Sequence, residues 1–163
     1  MKKFRASSKY EINVRNEQTK FKINLRKVEI LARATLAEED VCAGVPIELG
    51  ISFVSDQRIW TLNRKFLGHD WKTDVLAFPV DEKAGREKVW MLGEVVISIE
   101  RAMDQSQSFN EDPEREVALY MVHGILHLLG YRDKTPKLSG KMWRRQDEIL
   151  KRRYNGIGLK GLK

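Results

Sequence analysis

The segment after Asp112 constrains the fold more than any other part of the chain, because it predicts a helix that is apolar on most of its sides. Asp112 is a favourable N-cap, and Pro113 suits the first helical position, where its missing N–H costs nothing. Gly130 supplies a residue that adopts the left-handed conformation at a helix end. A helix with so few polar positions must be covered by the rest of the domain, so it is predicted to be central and buried.

This helix carries two histidines, His123 and His127, and the glycine turn delivers Asp133 shortly afterwards. A spacing of four residues places both imidazoles on one helical face, close enough to hold a single ion. Two nitrogens and one carboxylate leave a fourth position open for water, the pattern of catalytic rather than structural zinc sites. The three residues are therefore predicted to bind a metal; zinc fits best, and nickel and manganese stay open. The alternative is a pair of core histidines with a surface aspartate.

The residue after the first histidine limits the kind of hydrolase that this site can be. In H-E-x-x-H metallopeptidases, a glutamate at that position takes the proton from the attacking water. Here the position is Gly124. Ordinary zinc proteolysis is therefore not expected of this chain.

The remaining segments predict a sheet beside the central helix. Alternating or β-branched apolar patterns typical of strands occupy residues 9–15, with an edge-strand pattern, and 47–54, 75–80 and 92–99. Helical patterns occupy 26–39, the stretches after Asp56 and Ser98, and 137–152. Strands in the early part and helices in the late part favour an α+β fold, a mixed sheet with helices packed on it. Residues 1–152 are predicted to form a single metal-hydrolase domain, and 153–163 a basic C-terminal tail.

The positive charge of the chain is concentrated at its C-terminal end. The net charge is +7, from 30 basic and 23 acidic residues among 163. From Arg132 onward, 11 basic residues stand against 3 acidic ones, a balance of +8, while the first 131 residues sum to −1. Such a one-sided charge favours a polyanionic partner, RNA first and an anionic membrane second. A solvated helix face with a loose basic tail is the alternative.

Membrane insertion and disulfide bonding are not expected. No apolar run is long enough to span a bilayer, and the basic N-terminus lacks the apolar core of a signal peptide. Cys42 is the one cysteine of the chain, which excludes an internal disulfide and favours the reducing cytoplasm. A lone cysteine of this kind is predicted to be a buried structural thiol.

Three blocks of the sequence resemble the YbeY family of bacterial ribosome-maturation endoribonucleases. The string H-G-I-L-H-L-L-G-Y over residues 123–131 is similar to that family's H-G-x-L-H-L-x-G-Y-D-H motif. The block T-D-V-L-A-F-P over 73–79 and the strand L-G-E-V-V-I-S over 92–98 resemble two further family segments. The resemblance covers about residues 45–152, in the family's order.

The resemblance implies a metal-dependent, single-strand-specific endoribonuclease in the cytoplasm. The implied role is maturation of ribosomal RNA and ribosome quality control, with ribosomal RNA and the small ribosomal subunit as partners. The implied fold is an α+β sheet crossed by the metal helix, loosely similar to the zincins. The basic C-terminal segment agrees with an RNA partner.

The chain departs from the family's pattern at positions that bear on binding. The usual third histidine ligand is Asp133, and the usual acid before it is Arg132. The family carries an arginine after an L-N-x-x-aromatic stretch, which is residues 62–66 here, and the position of that arginine is Leu67. If that arginine normally holds phosphate, Arg64, Lys72 or Arg132 must do so here, and these three are the predicted substrate-binding residues. No general acid or base is assigned.

Two other functions are left open by the sequence. The first is a metal-dependent peptidase or small-molecule hydrolase, which Gly124 disfavours. The second is a non-catalytic ribosome-assembly protein that keeps the metal for stability, which the loss of the family arginine at Leu67 supports. Among exposed candidates, His69 can approach the site or RNA, and Trp71 and Trp143 can stack on unpaired bases. Loop histidines and large aromatics more often have no such role.

Overall fold

The computed structural model describes residues 9–42, 44–71, 73–80 and 89–154. In these ranges the chain forms a four-stranded sheet, five α-helices and a final π-helical turn. The elements in chain order are β1 (Tyr10–Asn16), α1 (Leu25–Glu38), β2 (Ile47–Val54), α2 (Asp56–Leu67), β3 (Val75–Pro79), β4 (Trp90–Ser98), α3 (Ile99–Ser108), α4 (Pro113–Leu128), α5 (Pro136–Ile149) and the turn Leu150–Tyr154.

The strands lie in the order β1-β2-β4-β3. β1, β2 and β4 are parallel to one another, while β3 runs antiparallel to β4. Parallel neighbours need a crossover connection, which α1 supplies between β1 and β2. The mixed sheet with packed helices confirms the predicted α+β class, and β1 lies at the sheet edge as predicted.

The two faces of the sheet carry different clusters, because successive side chains of a strand point to opposite faces. Val95 and Ile97 of β4 belong to the large core that includes residues of α1 and α4. Val96, between them, belongs to a small cluster with Ile59 of α2 and Leu76 of β3. Helix α2 therefore packs on the face opposite the central helix.

Helix α4 crosses the sheet at very short range because of Gly124. A Cβ atom there would lie 2.4 Å from Val95 Cγ1 and 3.2 Å from Val75 Cγ2. The absence of a side chain lets the helix backbone rest on these two valines. Gly124 is therefore required for the packing of α4 on the sheet. It also occupies the position at which H-E-x-x-H metallopeptidases have their catalytic glutamate.

The ends of α4 follow the sequence prediction. The Asp112 side chain accepts a hydrogen bond from the Glu114 N–H, and Pro113 opens the helix. Gly130 has a φ of +100°, in the left-handed region. Nine residues of the helix are buried, which confirms its central position.

One smaller expectation is wrong. Cys42 is exposed rather than buried, because it follows the end of α1 in a surface connection.

Within the described ranges, no helix has both the length and the apolar character that crossing a bilayer requires. The division at residue 152 stays a prediction. The π-helical turn runs through it to Tyr154, which packs against the core, and 155–163 lie outside the described residues.

Candidate metal centre

The structure brings the three predicted ligands together at the C-terminal end of α4. The Nε2 atoms of His123 and His127 are 3.0 Å apart, and Asp133 Oδ2 lies 3.5 Å from His127 Nε2. One ligand atom from each residue lies within 4.8 Å of the other two. The spacing of four residues on a helix and the turn after it are sufficient to build this cluster.

The other nitrogen of each imidazole has its own hydrogen-bond partner. His123 Nδ1 is 2.9 Å from Oε1 of Gln146, and His127 Nδ1 is 3.1 Å from the main-chain oxygen of Tyr131. A carbonyl oxygen only accepts hydrogen bonds, so each Nδ1 must carry the proton. Both Nε2 atoms of the neutral rings are then bare, and their lone pairs face the same space.

Two bare nitrogens 3.0 Å apart repel each other unless a proton or a cation lies between them. Burial, and secondarily the neighbouring His127 imidazole, lowers the pKa of His123 and so favours its neutral, metal-binding form. The Asp133 carboxylate, with 48% of its side chain exposed, adds negative charge on the solvent side. This donor set fits a divalent cation, with imidazole-stabilising partners of the kind that orient metal ligands.

A tight turn carries the chain from the helix to Asp133. The N–H groups of Gly130 and Tyr131 donate to the oxygens of His127 and Leu126, at 3.1 and 3.0 Å. The positive φ of Gly130 permits this reversal. The same turn presents the Tyr131 oxygen to His127, so one local structure positions the predicted ligand Asp133 and supports the predicted ligand His127.

The turn is itself attached to α1 and α5 through a glutamate. The Tyr131 hydroxyl donates to Glu39 Oε2 at 2.9 Å, and Arg145 of α5 pairs with the same carboxylate. Burial raises the pKa of the Tyr131 phenol, and the Glu39 carboxylate raises it further, so the phenol stays a donor. Arg145 Nη2 also donates to the Glu38 main-chain oxygen at 2.7 Å. We call Tyr131, Glu39 and Arg145 the turn clamp.

Gln146 and the turn clamp are not among the residues predicted from the sequence. Gln146 is 1% exposed, and it lies on the buried stripe of α5 between Met142 and Ile149. A glutamine on an otherwise apolar stripe is the signal that marks such a residue, because buried polar groups need partners. Glu39 and Arg145 carry no comparable local signal.

The predicted substrate-binding residues occupy different places. Arg132 is exposed beside the cluster, and its Nη1 atom lies 3.2 and 3.4 Å from the main-chain oxygens of Tyr131 and His127. Arg64 lies on α2, where its guanidinium contacts Asp70 and the Trp60 ring. Lys72 lies outside the described residues.

Three aromatic side chains from the sequence analysis lie at the surface. The Trp143 ring of α5 is 52% exposed, and its centroid is 6.2 Å from that of His123. His69 stacks on Trp71 with centroids 4.3 Å apart, and both are exposed. Leu67, at the position of the family arginine, is also exposed at the end of α2. Trp143 therefore has its ring beside a histidine of the cluster, whereas the rings of His69 and Trp71 contact each other.

Comparison with known proteins identifies similar chains. The family model described as endoribonuclease YbeY matches residues 13–154. An Endoribonuclease YbeY from Halalkalibacterium halodurans is 39% identical over 138 residues, covering 76% of this chain and 85% of the relative. The protein of the same name from Geobacillus sp. is 37% identical over 148 residues, covering 86% and 92%. That from Caldanaerobacter subterraneus is 34% identical over 155 residues, covering 86% and 97%.

A structural comparison agrees with the architecture. A Thermotoga maritima protein solved in solution superimposes with a TM-score of 0.58 at 24% identity, covering 90% of this chain and 93% of that one. At this level of identity the similarity concerns the fold alone.

Proposed function

The chain belongs to the endoribonuclease YbeY family, and we propose that His123, His127 and Asp133 are the metal ligands of its active site. As a member of this family, the chain is an endoribonuclease, a hydrolase of RNA phosphodiester bonds that acts in ribosomal RNA maturation. The observation that carries the proposed ligand set is the pair of bare Nε2 atoms, 3.0 Å apart, with a carboxylate beside them.

The three ligands match the chemistry of the reaction. A divalent ion held by them would supply Lewis-acid polarisation of a phosphoryl oxygen and of the attacking water. Gln146 and the Tyr131 carbonyl keep the two imidazoles in the binding tautomer, so no reorientation is needed when the ion enters. Two imidazoles with one carboxylate favour zinc, which we propose as the cofactor, one ion per chain.

The surroundings of the cluster suit a single-stranded RNA. Arg132 lies at the turn, and the exposed Trp143 ring beside His123 offers a stacking surface for an unpaired base. We assign phosphate binding to Arg132, with Arg64 and Lys72 as further contacts. Such contacts give affinity and carry little sequence information.

A peptidase or small-molecule hydrolase is the competing enzyme class. The position that holds the peptidase glutamate is Gly124, which faces Val95 and Val75 of the sheet rather than the cluster. No side chain fits there unless the helix or Val95 moves. This observation favours the nuclease over the peptidase.

A non-catalytic assembly protein is the competing function outside enzymes. The exposed Leu67 at the family arginine position favours it. It requires a metal that serves only stability, whereas the half-exposed Asp133 gives the proposed ion access to solvent. The basic C-terminal region supports a partnership with the small ribosomal subunit under either function, and ribosome quality control in the cytoplasm as the setting.

Metal content and cleavage, measured together, test the proposal. The samples are the wild type, the double variant His123→Ala/His127→Ala, and His69→Ala, in which the remaining histidine is removed outside the cluster. We expect about one zinc ion per chain in the wild type and in His69→Ala, and none in the double variant. The wild type should cut a single-stranded ribosomal RNA fragment and spare its duplex form, while the double variant should cut neither.

The outcomes separate the competing functions. Zinc in the wild type with RNA bound but uncut supports the assembly protein. Cleavage of casein with RNA untouched supports the peptidase. Folded wild-type protein without any metal contradicts the ligand set, and equal RNA cleavage by the double variant identifies a contaminating nuclease.

The metal preference is tested at Asp133. Asp133→His restores the family's third imidazole, and imidazole favours zinc whereas carboxylate tolerates manganese. We expect the ratio of zinc affinity to manganese affinity to rise in this variant, as measured by competition with a chromophoric chelator. An unchanged ratio contradicts the assignment of Asp133 as a ligand.

A further inference from the structure

At the edge of the sheet opposite β3, the first strand leaves one side of its backbone open. β1 is an edge strand, and among the described residues β2 is the one strand bonded to it. At its two ends, Lys9 O accepts from Ile47 N at 2.9 Å, and Glu17 N donates to Phe53 O at 2.8 Å. Alternate residues of a parallel strand bond to the same neighbour, so the odd-numbered residues of β1 face β2.

The even-numbered residues of β1 therefore direct their N–H and C=O groups away from the sheet. The Tyr10 oxygen confirms this direction, because the Arg33 side chain of α1 donates to it. Further along, the structure gives the outward N–H and C=O of Ile12 and Val14 no partner among residues 9–42, 44–71, 73–80 and 89–154. An unprotected strand edge of this kind is a template for another strand.

Helix α1 forms the second wall of a groove along this edge. The groove has a volume of about 800 Å³ and runs between residues 12–15 of β1 and the first half of α1. Leu25 and Ile30 line it and are 39% and 44% exposed. The groove thus combines open main-chain groups on one side with apolar side chains on the other.

The charge of the groove is positive. Three arginines and one glutamate line it, and the glutamate, Glu29, is paired with Arg33 at 2.8 Å. Arg15 and Arg26 are exposed and have no ion pair within the described ranges. The groove therefore attracts negative charge.

We propose that this groove binds an extended acidic segment of a partner protein, which adds a fifth strand to the sheet beside β1. Main-chain hydrogen bonds to Ile12 and Val14 would supply affinity, and alternate side chains would meet the α1 wall. A peptide backbone matches the alternating donors and acceptors of the edge, whereas an RNA backbone offers almost only acceptors. A second copy of this chain would bring its own arginines against Arg15 and Arg26.

One substitution removes an outward donor without touching the sheet. The Val14 N–H faces away from β2, so Val14→Pro deletes it while every β1–β2 hydrogen bond stays. Val14→Ala is the matched control, because it loses the same side-chain packing and keeps the N–H. Val14 lies outside the metal centre, so RNA cleavage should stay at the wild-type rate in both variants.

The probes are two fluorescent octapeptides that alternate β-branched residues with either aspartate or lysine. In fluorescence anisotropy with the full chain, the aspartate peptide should bind saturably, and the lysine peptide about tenfold or more weaker. Val14→Pro should weaken the aspartate peptide about fivefold relative to Val14→Ala, the effect of one hydrogen bond. Arg26→Glu should weaken it as well.

Four results would overturn the proposal. Equal binding of both peptides would show that the groove does not select an acidic segment. Equal affinity of Val14→Pro and Val14→Ala for the aspartate peptide would show that the outward N–H of Val14 does not pair with an added strand. A dimer in sedimentation that Val14→Pro abolishes identifies a second copy as the occupant. Competition by single-stranded RNA that Arg26→Glu relieves identifies the groove as an RNA surface.

Discussion

The two histidines of the proposed metal centre lie one helical turn apart and are held in different ways. His123 depends on a side chain, because its Nδ1 faces Oε1 of Gln146. His127 depends on the backbone, because its Nδ1 faces the Tyr131 oxygen. A side-chain acceptor is removed by one substitution, whereas a backbone acceptor is altered only through the groups that position it.

The two histidines therefore differ in which mutations should disturb them. The support of His123 comes from one residue of α5, and nothing else on that ring nitrogen replaces it. The support of His127 is set by the glycine turn first and by the turn clamp second. Both supports rest on the position of α4 above the sheet, which Gly124 determines.

Substitution of Gly124 should disturb the molecule most, because both histidines depend on the packing of α4 at this residue. In Gly124→Ala the new Cβ would lie 2.4 Å from the fully buried Val95, so the helix or the valine must move. Overpacking of this kind costs about 1–3 kcal/mol, which equals or exceeds the ~1 kcal/mol that alanine gains over glycine in a helix. Urea unfolding should show a net loss of up to about 2 kcal/mol.

Gly140→Ala in α5 is the matched control for this loss. A Cβ there meets only a guanidinium nitrogen of Arg144, at 3.4 Å. Helix propensity then acts alone, and the variant should gain up to about 1 kcal/mol. If both glycine variants change stability in the same direction, the close approach of α4 to the sheet is not what makes Gly124 necessary.

Substitution of Gln146 tests the hydrogen-bond support of His123 without changing that of His127. Gln146→Leu fills the same buried space and leaves the His123 N–H without an acceptor, so zinc affinity should fall about 10–100-fold. Gln146→Glu keeps an acceptor at that position and should hold zinc at least as tightly as the wild type. Chelator competition measures both, and wild-type affinity in Gln146→Leu would show that the second imidazole alone fixes the site.

The sequence was sufficient for the parts of the site that are local. His123, His127 and Asp133 come together through helical spacing and one glycine turn, and both are visible in eleven consecutive residues. Gln146 and Glu39 reach the site from segments far away in the chain, and only tertiary packing brings them there. Periodicity predicts which face of α5 is buried, but not what a polar residue on that face contacts.

The fold shows the same division. Strand Ile47–Val54 and the start of α4 at Pro113 follow from local patterns, and the structure confirms both. Cys42 was assigned to the core from residue type alone, and it is exposed because its burial depends on where the loop after α1 lies. The open groove of β1 likewise follows from strand order, which no single segment encodes.

A smaller effect is expected from the turn clamp. Tyr131→Phe removes the hydrogen bond to Glu39 at 2.9 Å and keeps the main-chain oxygen that His127 uses. Stability should fall by about 1 kcal/mol, the contribution of one hydrogen bond, while zinc affinity changes by less than about threefold. A drop in zinc affinity as large as that of Gln146→Leu would mean that the clamp, rather than the glycine turn, sets the carbonyl position.

The smallest effect concerns the metal-free protein in mild acid. Burial lowers the pKa of His123 in the fold from its ordinary value of 6.5, so below that pH the unfolded chain binds more protons than the folded one. In the chelator-treated protein, the contribution of neutral His123 to the free energy of unfolding should therefore be complete above pH 6.5. It should decline as the pH falls toward the lowered pKa of His123 in the folded chain. Urea unfolding at pH 7.5 and 5.5 measures the decline. His123→Asn should reduce it, because asparagine does not titrate and still offers a donor to Gln146. An equal decline in that variant would assign the acid sensitivity to other groups and leave the buried support of His123 without a pH signature.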